Sequence, residues 1–252
     1  MPEATVIPPG GGEVIGDSPE RRVEILCDDE ALNATWSRFA AGRAGADLHV
    51  HRHHSDIFYV LEGELTVMLG LDGEHVAVPA GTVALVPPLV VHGFRNASDA
   101  DARYLNFHAP GRRFADYMRA LRDGRQFTYD QEPPPADGGR PTALVVVGGP
   151  VVDVEEIVVR EVSAAAGAGT AAAQREQLQC FYVLDGELVL TAGDRELRAT
   201  AGAWVQVPAG AAYELSFPEA ARFLELRAPR DAAASASAAR SAVVAGGSGG
   251  SP

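Results

Sequence analysis

Histidines are concentrated in one part of the chain, and their spacing carries the clearest chemical signal in the sequence. All seven lie between residues 49 and 108: His49, His51, His53, His54, His75, His92 and His108. If residues 49–53 form a strand, alternate side chains share a face, and imidazoles two residues apart lie about 7 Å from each other along the backbone. Two such rings can converge on one metal ion.

Two further residues can complete a metal site. Asp56 offers a carboxylate oxygen shortly after the histidine cluster, and His92 offers a third nitrogen from a later strand. Three imidazoles and a carboxylate suit a divalent transition metal better than Ca²⁺ or Mg²⁺, which prefer oxygen. We therefore expect His49, His51, Asp56 and His92 to hold one such ion per chain. Iron is favoured, with Mn, Ni, Cu, Co or Zn as alternatives. The competing interpretation is adventitious binding by a His-rich tract.

A sequence repeat indicates the elements that must position these residues. The segment 58–65, FYVLEGEL, returns at 181–188 as FYVLDGEL, and matched Gly and Pro positions follow each copy. Within each copy, short apolar and β-branched runs are separated by Gly, Pro, Asp and Asn, a pattern typical of antiparallel sandwiches and barrels. The sequence thus predicts an all-β protein with two tandem barrels of about 100 residues each.

The composition between and outside the copies divides the chain further. Apolar residues at helical spacing in 113–123, followed by Gly124, predict a short connecting helix before a Pro/Gly-rich linker. Terminal segments rich in small or polar side chains bury too little to offset their ordering entropy. The expected divisions are a flexible N-terminus (1–8), a metal-binding barrel (9–112), a helix and linker (113–141), a second barrel (142–230) and a disordered tail (231–252).

The ordered motifs resemble those of the cupin superfamily, and the repeat is similar to that of its two-domain members, the bicupins. A first motif of His-x-His, an acid and a Gly is matched by His49, His51, Asp56 and Gly63. A second motif is matched by Gly81, Pro87, His92 and Asn96. The resemblance implies two double-stranded β-helix (jelly-roll) barrels and a mononuclear metal site in the first.

Two positions depart from the family pattern. Asp56 stands where the family usually has Glu, and one methylene less shortens the reach of the carboxylate by about 1.5 Å. Asp56 then binds the metal directly, through water or not at all, and His53 or His54 could substitute for it. Leu89 stands where the family usually has Gly, which is expected to place an apolar side chain near the barrel mouth.

The second copy lacks these ligands. Its aligned positions hold Ala172, Gln174, Gln179 and Tyr213, none of which is a good ligand for such a metal. A metal-free second barrel is expected, which packs on the first, supports dimerisation or retains a small pocket.

A metal held by three nitrogens and an optional carboxylate keeps open coordination positions, as catalytic sites do. The resemblance implies, as the leading hypothesis, a dioxygenase similar to quercetin dioxygenase, acting with O2 on a small enolic or phenolic (flavonol- or diketone-like) substrate. Asp56 or His53 would take the hydroxyl proton. The alternatives are a redox-neutral isomerase, cyclase or lyase, and a non-catalytic small-molecule-binding cupin.

The expected substrate pocket consists of residues from the first barrel. They are Phe58, Leu89, Phe94, Phe107 and His108.

The charge and composition of the chain disfavour several other classes of binding partner. Acidic residues outnumber basic ones 34 to 21, for a net charge of −13, and no basic cluster tracks a phosphate backbone. Nucleic acid and membrane partners are therefore not expected. Two cysteines and the lack of a recognisable signal sequence favour the cytoplasm, and edge strands with the bicupin resemblance favour a homodimer.

Overall fold

The computed structural model describes residues 3–149 and 151–229. The expected tail at 231–252 lies outside the described residues. Within them, the all-β architecture with one short connecting helix is confirmed, and every pairing between named strands is antiparallel. The helix is α1 (Phe114–Arg122), and Thr142–Leu144 form a 3₁₀ turn. The strands are β1 (Thr5–Ile7), β2 (Glu13–Asp17), β3 (Arg21–Asp28), β4 (Asn33–Phe39), β5 (Ser55–Glu62), β6 (Glu64–Leu69), β7 (Glu74–Pro79), β8 (Val83–Val86), β9 (His92–Arg95), β10 (Ala102–Ala109), β11 (Val146–Gly148), β12 (Val151–Asp153), β13 (Val158–Ala164), β14 (Ala173–Gln174), β15 (Leu178–Asp185), β16 (Glu187–Ala192), β17 (Arg195–Thr200), β18 (Trp204–Val207), β19 (Ala212–Ser216) and β20 (Ala221–Ala228).

Each barrel is built from one large and one small sheet. The first barrel combines the order β11-β8-β5-β10-β4-β3-β2 with β7-β6-β9, and the second combines β1-β18-β15-β20-β13-β12 with β14-β19-β16-β17. The repeated motif forms the β5–β6 hairpin in one copy and the β15–β16 hairpin in the other. Both hairpins turn at a glycine with positive φ, Gly63 (+72°) and Gly186 (+75°). A Cβ at either position would meet a backbone carbonyl, of Asp101 or Ala220 respectively, which explains why both copies have Gly there.

Side chains alternate between two faces of each large sheet. On β10, Leu105 and Phe107 point into a buried cluster that also contains Trp204 and Leu224 of the second barrel. The rings of Phe107 and Trp204 lie 6.4 Å apart. The large sheets therefore pack against each other through their outer faces, and each barrel keeps a separate apolar core inside.

The two halves exchange edge strands. β1 pairs with β18 of the second barrel, with Thr5 opposite Gln206, and β11 pairs with β8 of the first barrel, with Val146 opposite Leu85. The structure thus places a strand within the segment 1–8, for which a flexible N-terminus was expected. It also assigns residues 146–148 to the first barrel rather than to the expected second domain from 142. In both cases the borrowed strand pairs with backbone groups that an open sheet edge would leave unpaired.

The segment after α1 returns to the first barrel. Val50 and Glu132 exchange two backbone hydrogen bonds of 2.9 and 3.0 Å, and Arg140 donates to the carbonyl of Leu89. The linker therefore lies along the barrel mouth. No helix in the described ranges is long and apolar enough to cross a membrane.

Candidate metal centre

Four potential metal ligands meet at the mouth of the first barrel. Donor atoms of His49, His51, Asp56 and His92 all lie within 4.8 Å of one another, and all four side chains are buried. Asp56 lies on β5 and His92 begins β9. His49 is held opposite His92 by a reciprocal pair of backbone hydrogen bonds of 2.8 and 3.0 Å. The structure thus brings together the four residues that the spacing predicts as ligands.

All three imidazoles of this group use Nδ1 to bind a backbone carbonyl. The acceptors are the carbonyls of Asp47 for His49 (2.6 Å), Val90 for His92 (2.9 Å) and Asp130 for His51. Because a carbonyl only accepts, each Nδ1 carries the proton and each Nε2 presents a lone pair. Fixing the tautomer through the second ring nitrogen is the usual way in which proteins orient metal-binding histidines.

The distances between these lone pairs fit a bound cation. Nε2 of His49 lies 3.1 Å from Nε2 of His51, and Nε2 of His92 lies 3.4 Å from Oδ2 of Asp56. Two nitrogens each about 2.1 Å from a metal and at right angles are about 3.0 Å apart. Without a cation between them, two lone pairs at this distance repel each other. The donor set therefore suits a divalent transition metal ion.

Asp56 reaches the cluster despite its short side chain. Its Oδ2 lies 3.8 Å from Nε2 of His51, while its Oδ1 accepts a hydrogen bond from Asn106 and lies 3.5 Å from Nε2 of His108. Burial alone raises the pKa of Asp56, but electrostatic attraction to the neighbouring imidazoles, His108 foremost, outweighs it and holds this pKa well below 3.8. Asp56 is therefore a carboxylate at neutral pH.

His53, expected to act beside Asp56, lies outside the cluster. The chain bends at Arg52 and His53 before β5 starts at Ser55, so the alternation expected for 49–53 stops at His51. The His53 side chain is exposed, and its hydrogen bonds are made by the backbone: the N–H donates to Oδ2 of Asp130 at 2.9 Å, and the carbonyl accepts from Nε of Arg112 at 3.4 Å.

His54 is buried beside His51, with their ring centroids 4.1 Å apart. His54 forms hydrogen bonds with two linker residues. Its Nδ1 donates to Oδ2 of Asp130 at 2.9 Å, and its Nε2 accepts from the Tyr129 hydroxyl at 3.0 Å. Burial, reinforced by His51, lowers the pKa of His54 to about 4 although the Asp130 carboxylate opposes it. His54 is therefore neutral at pH 7. The sequence indicated only His54 of these three residues, because Tyr129 and Asp130 lie in the linker without any periodic pattern.

A cavity of about 310 Å³ opens from the metal ligands into the first barrel. Its walls come from the inward positions of β3, β4 and β10 and from α1. Helix α1 is anchored over the site, because Phe114 packs on His108 with ring centroids 3.9 Å apart and Tyr117 stacks on Tyr129 at 4.8 Å. The volume lies at the low end of the range for small-molecule sites.

Of the five residues expected to form the pocket, Phe94 and His108 line this cavity. Phe58 is fully buried behind Phe94, with ring centroids 5.1 Å apart. Phe107 points out of the barrel, because it alternates with His108 along β10. Leu89 lies in a left-handed turn (φ +66°) outside the cavity, where its N–H donates to the carbonyl of His51 at 2.7 Å.

The equivalent positions of the second barrel bond to each other or to the backbone. The Tyr213 hydroxyl donates to Oε1 of the buried Gln179 at 3.4 Å, and Nε2 of Gln174 donates to the carbonyl of Gly210 at 2.8 Å. Both groups of three or more His, Cys, Asp or Glu donors found in the described ranges include His51 of the first barrel.

A comparison with known protein families identifies the family to which this architecture belongs. The model of the cupin domain family (Cupin_2) matches residues 35–108 and 160–226, one stretch in each barrel and together more than half of the chain. The protein belongs to the cupin family, with two cupin domains in one chain. No curated protein matches the sequence.

Solved structures share the fold across both barrels. The protein YlbA from E. coli has a TM-score of 0.66 at 14% identity, covering 91% of this chain and 92% of that one. A single-residue variant of oxalate decarboxylase from Bacillus subtilis has a TM-score of 0.62 at 14% identity, covering 91% and 78%. A mutant of salicylate 1,2-dioxygenase from Pseudoaminobacter salicylatoxidans has 0.62 at 14%, covering 87% and 79%. At these identities the likeness shows the fold alone.

Proposed function

We propose that this bicupin is a metal-dependent dioxygenase that acts on a small enolic or phenolic substrate in the cavity of the first barrel. One observation carries the proposal: three Nε2 lone pairs and the carboxylate of Asp56 converge beside one cavity of the first barrel. A metal bound there remains accessible from the cavity side, as in catalytic rather than closed structural sites.

His49, His51, His92 and Asp56 would hold one divalent transition metal ion, with iron favoured over Mn, Ni, Cu, Co and Zn. When bound, the ion supplies Lewis-acid and redox chemistry that couples an enolate or phenolate oxygen to O2. In a dioxygenation that cleaves a carbon–carbon bond of the substrate, both atoms of O2 enter the products and the substrate itself supplies the four electrons, so no further reductant is consumed.

The chain itself orients the substrate and handles its proton. Asp56, held ionised and anchored by Asn106, accepts the hydroxyl proton, whereas His53 is exposed and does not line the cavity. His108 lines the cavity and its buried Nδ1 has no hydrogen-bond partner among the described residues, which makes His108 a candidate contact for a polar substrate atom once its ring turns toward the cavity. The rings of Phe39 and Phe94, 6.0 Å apart, exclude water from the same wall.

A redox-neutral isomerase or lyase is the second candidate. The hydrogen-bonded series Asp130, His54 and Tyr129 beside His51 favours it, because these groups can hold and move a proton without O2. The structural likeness extends both to an enzyme named as a dioxygenase and to one named as a decarboxylase. The fold therefore does not choose between the two candidates.

The test begins with elemental analysis of wild type, His51→Ala and the matched control His75→Ala, which alters an exposed histidine far from the cavity walls. We expect about one metal equivalent in wild type and the control, and a loss of most of it in His51→Ala. O2 uptake is then measured with an oxygen electrode in the presence of flavonols, diketones or catechols. Substrate-dependent O2 uptake supports the dioxygenase, whereas product formation without O2 supports the redox-neutral candidate, and a full metal content in His51→Ala would refute both.

A further inference from the structure

The cavity contains an arginine that no carboxylate of the described chain neutralises. Arg21 lines the cavity, and none of the ion pairs among the described residues includes its guanidinium. Its neighbour Arg22 points to the other face of β3, where it pairs with Glu24 at 2.7 Å and Asp17 at 2.6 Å. Arg122, at the rim of the same cavity, is paired with Glu13 at 3.0 Å.

The position of Arg21 follows from the alternation of β3. Arg21, Val23 and Ile25 face the barrel interior, and Val23 lines the cavity and belongs to the apolar core of the first barrel. Hydrophobic neighbours on the same strand face reduce the hydration of a guanidinium, which makes an anionic partner inside the cavity favourable. Arg21 is thus a half-buried cation on the wall of the cavity, whereas Arg22 lies on the opposite face of β3.

Hydroxyl groups on the adjoining strands line the wall between Arg21 and the candidate metal ligands, with Ser37 opposite Val23 and Thr35 opposite Ile25. Thr35 and Ser37 on β4 and Tyr104 on β10 line the cavity, all from inward positions. Tyr104 is buried and lies within electrostatic reach of both Arg21 and Asp56. The wall therefore runs from the metal ligands, past the Tyr104 hydroxyl, to the guanidinium.

We propose that Arg21 binds a carboxylate of the substrate, so that the substrate is a small hydroxy- or oxo-carboxylic acid with a second oxygen at the metal end of the cavity. The planar guanidinium matches a carboxylate with two parallel hydrogen bonds, and Ser37 and Tyr104, on the wall beside Arg21, can add donors. The cavity of about 310 Å³ suits a single-ring or short-chain acid. The metal end of this assignment rests on the proposed function, but the carboxylate end rests on Arg21 alone.

The test uses benzoate, with the neutral benzamide as its matched ligand, titrated calorimetrically into the metal-free full-length protein. We expect benzoate to bind at least tenfold more tightly than benzamide, and Arg21→Gln to remove this preference. Arg21→Lys should keep part of it, which shows that the loss does not come from misfolding. Arg22→Gln, on the opposite face of the strand, should bind benzoate as wild type does.

Equal affinities for benzoate and benzamide, no measurable benzoate binding, or an unchanged preference in Arg21→Gln would each overturn the inference. Because this titration needs neither metal nor O2, it separates the two proposals. Arg21-dependent benzoate binding in a protein that consumes no O2 would leave the inference standing without the dioxygenase. If the protein instead shows metal-dependent O2 uptake with a neutral flavonol, and Arg21→Gln does not change this uptake, the inference is overturned and the proposed dioxygenase activity stands.

Discussion

Acidification should destabilise the metal-free protein through three buried imidazoles. Burial lowers the pKa of His49 to about 3 and that of His54 to about 4, and it holds the pKa of His108 well below 6.5. An unfolded histidine titrates near 6.5. Below that pH the unfolded chain binds protons that the folded chain does not accept, so the stability present above pH 6.5 is lost as the pH falls.

The size of the effect follows from the number of groups. Between pH 6 and pH 5 each of the three imidazoles should lower the free energy of unfolding by about 1 kcal/mol, because nearly one proton per group is taken up on unfolding. The sum is about 3 kcal/mol, a large share of the stability of an ordinary domain. Asp56 and Asp130, whose pKa values are depressed, add to the loss only at lower pH.

Urea unfolding of chelator-treated protein at pH 6 and pH 5 measures this loss. His54→Gln should reduce the difference between the two pH values by about a third, whereas His75→Gln, which alters an exposed side chain, should leave it unchanged. A difference below about 1 kcal/mol in the wild type, or an unchanged difference in His54→Gln, would refute the argument that these imidazoles are buried in the neutral form.

Four further outcomes are expected. Asn106→Ala removes the amide donor to the buried carboxylate and should weaken metal binding about 10- to 100-fold in competition with a chelator. Gly63→Ala should cost at least about 2 kcal/mol in urea unfolding, because its Cβ meets a carbonyl at positive φ. Gly81→Ala, at similar φ (+76°) with open space around it, should cost about 1 kcal/mol. Deletion of residues 1–8 removes β1 and should lower the thermal midpoint, since the edge of β18 loses its partner.

The sequence allowed the fold and the clustering of the four candidate ligands to be predicted because those signals are local. The repeat shows the two barrels directly, and the spacing of His49, His51 and Asp56 spans only eight residues. Two further residues of the cavity can also be predicted from strand alternation. Counting by two from His108 along β10 leads to Asn106 and Tyr104, and the same count places Phe107 on the opposite face.

The other residues of the site cannot be predicted from the sequence, because only tertiary contacts bring them together. Asp130 lies 79 residues after His51, whose Nδ1 it binds through its carbonyl, and it comes from a segment whose composition indicates only a linker. His54 rather than His53 lies beside the cluster because the chain bends before β5 and the strand alternation ends there. No residue type marks that bend. Arg21 is one of two adjacent arginines, and only the register of β3 determines which of them enters the barrel.

The exchange of edge strands has a topological consequence. Each barrel is completed by a segment from the opposite half, β1 in one direction and β11 in the other. A protease cut in the linker between residues 123 and 141 would therefore leave two fragments that still clasp one another, and separately produced halves should reassemble into the intact pair. The chain therefore has the topology of an arm-exchanged dimer whose two subunits have been joined end to end, and among the described residues the candidate metal-binding histidines lie in only one of them.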